Sequence, residues 1–126
     1  MFSGISYYEK YFSDGSLRRT VSVLEGLDLE SLQESKPVEF MTAREYFYGG
    51  TVIVETAFSV EKRPDGEYLI GYEKTSKNYE DPNEIHWDSD FAETISKAQY
   101  LIDSAKRDWL EGATFLGTEE FENEES

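Results

Sequence analysis

The sequence predicts an α+β domain: an antiparallel sheet built on a three-strand meander over residues 38–75, extended by an N-terminal hairpin to three to five strands and packed against one long C-terminal amphipathic helix over about 90–111. Three observations lead there. Apolar and polar residues alternate with period two through the middle of the chain, and the runs are separated by Gly49-Gly50 and Pro64-Asp65-Gly66. From Phe91 to Trp109, apolar residues recur at spacings of 4, 3, 4, 3 and 4. Aromatic residues make up 15% of the chain, which supplies core material that an acidic disordered segment lacks.

In chain order, Ile5 to Phe12 runs into the turn cluster Ser13-Asp14-Gly15-Ser16, and Thr20 to Leu24 then alternates as a strand does. A hairpin is the preferred reading. Tyr7, Tyr8, Tyr11 and Phe12 also fit one face of a helix, so the helical alternative stays open here. Leu27 to Gln33 reads as a short helical turn or loop, closed by Ser35-Lys36-Pro37, where proline biases its predecessor toward extended geometry.

The meander begins with Val38, Phe40, Thr42, Arg44, Tyr46 and Tyr48 on one face of a strand. Gly49-Gly50 accepts the positive φ of a hairpin turn at no steric cost. Thr51 to Glu61 returns with Val52, Val54, Thr56, Phe58 and Val60 on one side. Pro64-Asp65-Gly66 turns the chain again, and Glu67 to Thr75 carries Tyr68, Ile70 and Tyr72.

Residues 76–88 read as an irregular polar connection anchored by Ile85 and Trp87, after which Asp90 caps the helix with Glu93 three positions on. Phe91, Ile95, Ala98, Ile102, Ala105 and Trp109 form the apolar stripe, and Gly112 stands where a left-handed C′ residue is expected. Residues 1–117 then make one domain, and Thr118 to Ser126, rich in glutamate, makes a flexible acidic tail.

Charge is the property with most functional content. The chain carries a formal net −15, and residues 78–126 hold 14 acidic against 3 basic side chains. Charge of this size governs partners and association rates more than fold. It repels phosphates and anionic lipid, so direct nucleic-acid binding and membrane binding are not expected. No run approaches the apolar length of a membrane span, the first residues carry no basic and apolar leader pattern, and there is no cysteine, so a cytoplasmic protein is expected.

Known catalytic signatures are missing. Gly49-Gly50 lacks the phosphate-loop pattern, and no nucleophile elbow surrounds a serine. The single histidine, His86, lies in Glu84-Ile85-His86-Trp87-Asp88, where an extended backbone would point one imidazole and two carboxylates the same way. One imidazole in a polar loop supplies too few preorganised ligands, so neither a metal site nor a cofactor is expected. Carboxylate pairs can run acid–base chemistry, but 27 acidic residues single out no pair, and no catalytic residue is assigned.

The partner-binding residues expected are Asp88, Asp90, Glu93, Asp103, Asp108 and Glu111 outside the helix stripe, with Glu119, Glu120 and Glu122 of the tail. A helix rises about 1.5 Å per residue and duplex DNA carries one charge per about 1.7 Å, so carboxylates along a helix can approximate a row of phosphates. In size, acidity and aromatic content the chain resembles phage-encoded DNA mimics, anti-restriction proteins and several anti-CRISPR proteins. That likeness is one of composition, covers no alignable motif and assigns no residue. The expected function is non-enzymatic: an inhibitor or adaptor docking on a basic surface of a nucleic-acid-binding protein. Two other classes remain open. An acidic secretion or assembly chaperone would show itself as a dimer with exposed apolar patches, and a small enzyme using a carboxylate pair would need a deep pocket.

Overall fold

The computed structural model describes residues 2–12, 17–46, 52–76 and 84–122 of the chain. Among these residues seven strands form one antiparallel sheet: β1 (Phe2–Tyr11), β2 (Arg18–Glu25), β3 (Val38–Tyr46), β4 (Val52–Lys62), β5 (Tyr68–Ser76), β6 (Glu84–Ala92) and β7 (Thr114–Glu122). One helix, α1 (Ile95–Leu110), stands between β6 and β7. Strand order is β6-β5-β4-β3-β2-β1-β7, so the first six strands are a continuous meander and the seventh joins the opposite edge.

This topology sets the length of the helix. The step from β6 back to β1 crosses five strand spacings, about 24 Å at roughly 4.8 Å each. The 16 residues of α1 span about the same distance at roughly 1.5 Å per residue. The helix therefore carries the chain across one face of the sheet and delivers β7 to the outer side of β1. Its C-terminal turn reaches that side, where the Lys10 ammonium donates to the Glu111 carbonyl at 3.0 Å.

Packing follows the alternation of the strands. Val21 and Val23 of β2, Met41 and Ala43 of β3, Phe58 and Val60 of β4, Tyr68 and Ile70 of β5 and Ala92 of β6 are buried on the helix side against Ala98 and Ile102. Each large apolar side chain so buried contributes on the order of 1.5–3 kcal/mol. Among the described residues the opposite face of the sheet carries no helix, and there pairs such as Arg44 with Glu55, at 3.1 Å, cover the strands.

The hairpin at the N-terminus is present, with β1 and β2 paired from Gly4↔Glu25 to Tyr11↔Arg18. The meander follows as expected, and Pro64-Asp65-Gly66 closes its second turn with Gly66 at φ 87° and Arg63 N–H donating to the Glu67 carbonyl at 2.7 Å. The expected turns at Ser13-Asp14-Gly15-Ser16 and Gly49-Gly50 lie outside the described residues. Leu29–Ser31 is a 3₁₀ turn started by Asp28, whose carboxylate accepts from the Glu30 amide at 3.1 Å.

Four expectations are corrected. The sheet has seven strands, because segments read as connection and tail are both strands. Residues 84–88 are not irregular: they open β6, which pairs with β5 without a break from Ser76↔Glu84 to Tyr68↔Ala92. The helix accordingly begins at Ile95 rather than near Asp90, is followed by a further strand, and has Thr94 as its N-cap, the hydroxyl accepting from the Lys97 amide at 3.1 Å. Thr118 to Glu122 are not a mobile tail but the second half of β7, paired from Ser6↔Thr118 to Phe2↔Glu122. Residues 123–126 lie outside the described residues.

A smaller correction concerns β3. Its pairing to β4 shifts register between Glu39 and Met41, so Phe40 and Met41 are both buried and Thr42, Arg44 and Tyr46 fall on the opposite face from Ala43. One extra residue in a strand reverses the facing of everything beyond it. Gly112 behaves as expected, with φ 74° just past the helix end.

Candidate functional site

The two edge strands carry acids and no bases. β6 contains Glu84, Asp88 and Asp90, β7 contains Glu119, Glu120 and Glu122, and neither strand has a lysine or arginine. The helix between them is different: Lys97, Lys106 and Arg107 outnumber Asp103 and Asp108, so α1 itself is net positive by one. The expected row of carboxylates along the helix is thus replaced by two acidic strands about 29 Å apart across six strand spacings, if the sheet is taken as flat.

Neutralisation differs between centre and rim. In the inner strands, Glu9 lies by Arg18 at 3.9 Å, Glu45 by Arg19 at 3.8 Å, Glu55 by Arg44 at 3.1 Å and Glu61 by Arg63 at 3.0 Å. Among the described residues, Asp88, Asp90, Glu119 and Glu120 have no such cationic partner. Glu25, Glu39 and Glu73 of the inner strands lack one as well, but β1 to β5 carry six lysines and arginines against seven acids, so the net negative charge of the sheet is concentrated in β6 and β7.

At the β6 edge, alternation sorts side chains by chemistry. Asp88 and Asp90 share the helix side with Ala92 and rim a cleft of about 130 Å³ floored by Phe58, Ile70, Tyr72, Leu101 and Ala105. Trp87 and Phe91 stand on the other face, 75% and 55% exposed. Beside Trp87 lies a second shallow depression of about 260 Å³, bordered by Pro37, Leu69 and Gly71. Gly71 is required there: a Cβ would meet the Asp88 carbonyl oxygen at 2.5 Å. β6 thus offers two carboxylates on one side, two exposed aromatics on the other, and backbone that, among the described residues, pairs with β5 alone.

The β7 edge is built differently. Its register against β1 shifts at Tyr7/Tyr8, and Gly117 sits at φ 139°, so the strand is bulged. Glu119 is engaged by Tyr7, whose phenol donates to the carboxylate at 3.0 Å. That hydrogen bond, with desolvation and the neighbouring negative charge, holds the Tyr7 phenol above its ordinary pKa. Bulges and edge charges are how sheets avoid unwanted pairing.

The other expected contact residues are scattered. Glu93 is exposed in the link between β6 and α1, and Asp103 is exposed on the helix and accepts from the Gln99 amide at 2.9 Å. Asp108 and Glu111 are exposed at the far end of α1. The Glu122 side chain lies outside the described residues, as does that of His86, on which the metal question turned. Among the described residues no group of three His, Asp or Glu side chains is placed to hold a metal ion. No helix of the described residues is long and apolar enough to cross a membrane.

Sequence reasoning selected Asp88 and Asp90 but missed Trp87 and Phe91, assigning one to a loop and the other to the core. The signal was present: Ile85, Trp87 and Phe91 alternate with Glu84, Asp88 and Asp90 over one nine-residue strand. Compared with known protein families, with curated proteins and with solved structures, the chain matches none.

Proposed function

We propose that this chain is a small non-enzymatic docking protein, an inhibitor or adaptor whose acidic sheet edges bind a basic protein surface, with nucleic-acid-binding proteins as the target class. The observation that supports this is the segregation of charge by strand: β6 and β7 carry six acidic residues and no lysine or arginine, whereas the five inner strands carry seven acidic residues against six lysines and arginines. A rim of one sign steers a partner of the other and speeds encounter.

The net positive charge of α1 moves the contact set away from Asp103, Asp108 and Glu111 and toward the edge strands. Imitation of duplex DNA by a helical row of acids is correspondingly less favoured than recognition of a basic surface at an edge. The assembly chaperone is the second reading, favoured by the exposure of Trp87 and Phe91.

The test is capture on the immobilised protein at low and high salt, with the bound partner then challenged by duplex DNA. Capture is expected to fall steeply with salt, to be reduced by combining Asp88→Asn, Asp90→Asn, Glu119→Gln and Glu120→Gln, and to be competed by DNA. A partner held equally well at high salt and by the neutralised variant would remove the docking reading.

A further inference from the structure

We infer that β6 receives a strand from the partner: an extended segment, basic on one face and apolar on the other, adds to the sheet along the β6 edge. The inference deepens the docking reading above and rests on it. The two edges of the sheet are not equivalent. β7 is bulged, has a glycine at positive φ and ties Glu119 to Tyr7. β6 keeps nine consecutive pairs with β5 in one unbroken register, with no bulge. A regular, unpaired edge is a template for a further strand.

Side chains on β6 specify the occupant. An added antiparallel strand places alternate residues opposite Asp88 and Asp90 on the helix side, where lysine or arginine would meet the carboxylates while its aliphatic stem lies along the cleft of Phe58, Ile70 and Leu101. The intervening residues fall beside Trp87 and Phe91, which are exposed and suit apolar neighbours. One edge amide is occupied at rest: Ser89 N–H donates to its neighbour Asp88 at 2.8 Å. An incoming carbonyl replaces that acceptor and frees the carboxylate for the incoming cation. A second copy of the chain is a poor occupant, since self-pairing about Ser89 would set Asp88 opposite Asp90 of the other copy and bring together two bodies of net −15.

The experiment uses the full chain and a fluorescein-labelled nine-residue peptide of alternating lysine and isoleucine, read by anisotropy at about 0.1 M salt. Three further peptides are compared: two with every second amide N-methylated, one in each frame, and one of the same composition with its lysines clustered. The parent peptide is expected to bind. One N-methylated frame and the clustered peptide should each lose about tenfold or more in affinity, because backbone pairing and alternation are what β6 reads. Trp87→Ala, which touches an exposed side chain, and Asp88→Asn with Asp90→Asn should each weaken the parent peptide by about fivefold or more. Equal binding of the parent, both N-methylated frames and the clustered peptide would reduce the interaction to bulk charge and overturn the inference. So would a complete lack of binding, or a dimer of the free protein that Ser89→Pro dissociates. A basic partner captured in a salt-dependent manner yet indifferent to Trp87→Ala and Ser89→Pro would sink strand addition while leaving the docking function in place.

Discussion

Arg19 of β2 holds its guanidinium carbon 4.4 Å from the ring centre of Trp109 in the last turn of α1, and 5.2 Å from that of Phe12. The same guanidinium faces Glu45 at 3.8 Å, and Trp109 meets Phe58 edge-on at 5.3 Å. This stack fixes where the helix ends on the sheet, and thereby where β7 begins. Trp109→Ala should cost about 2–4 kcal/mol in urea unfolding, and Arg19→Lys about 1 kcal/mol, since an ammonium cannot reproduce a planar stack. The double variant should be less destabilised than the sum. Strict additivity would mean that the two residues do not depend on one another.

Ile102 tests the placement of the helix. It is fully buried beneath the sheet, so Ile102→Asp puts an unpaired charge in the core at a cost of several kcal/mol, enough to unfold a domain of ordinary stability. Tyr100, two residues away and exposed, is the control: Tyr100→Asp should stay within about 0.5 kcal/mol of the parent. Equal thermal melting of the two variants would mean that the helix buries another face.

The meander and the existence of the helix were legible because their signals are local. Pro64-Asp65-Gly66 supplies its own turn chemistry, and Thr56, Phe58 and Val60 alternate cleanly on one side. The start of the helix was misread because Phe91 satisfies two periods at once: it stands four before Ile95 and four after Trp87. Pairing with β5, Leu69↔Phe91 among it, decides for the strand. β7 was hidden for another reason. Its partner β1 lies more than a hundred residues away, and five glutamates between Glu119 and Glu125 suggest solvation to any local reading. An edge strand tolerates such charge because one of its sides has no neighbour. The acids were therefore found by composition, whereas their segregation to two edges depends on long-range pairing that no window of sequence contains.

Two glycines hold the edges in register. A Cβ at Gly71 would lie 2.5 Å from the Asp88 carbonyl oxygen and 2.9 Å from the Ser89 Cβ, and one at Gly4 would lie 2.7 Å from the Glu119 carbonyl oxygen. Those contacts are with backbone or a neighbouring strand, which cannot simply swing away. Gly71→Ala should loosen β6 and Gly4→Ala should loosen β7, each by about 1–3 kcal/mol. Amide hydrogen exchange is the measurement. Protection should fall at the edge strand opposite the substituted glycine and persist at β3 and β4, and a uniform loss across the sheet would contradict this local effect.

Tyr7 offers a titratable report on the β7 edge. Its phenol is raised above the ordinary value by the hydrogen bond to Glu119 first, then by desolvation and by the carboxylate's charge. Because the folded-state pKa is the higher one, this interaction supports β7 from neutral pH up to the ordinary phenol range near 10, while the Glu119 carboxylate is ionised, and is lost as pH rises through the folded value. A near-ultraviolet absorbance titration, taken as the difference between the parent and Tyr7→Phe, should show one late-ionising tyrosine. Glu119→Gln should bring it back toward the ordinary value, since the amide carries no charge. The same signal separates the edges in a complex. With the lysine–isoleucine peptide bound along β6, Tyr7 should titrate as in the free protein, because its hydrogen bond to Glu119 is untouched. A peptide that lowers the Tyr7 value in the parent but not in Glu119→Gln would be drawing Glu119 away from the phenol, and binding would then have to be assigned to β7.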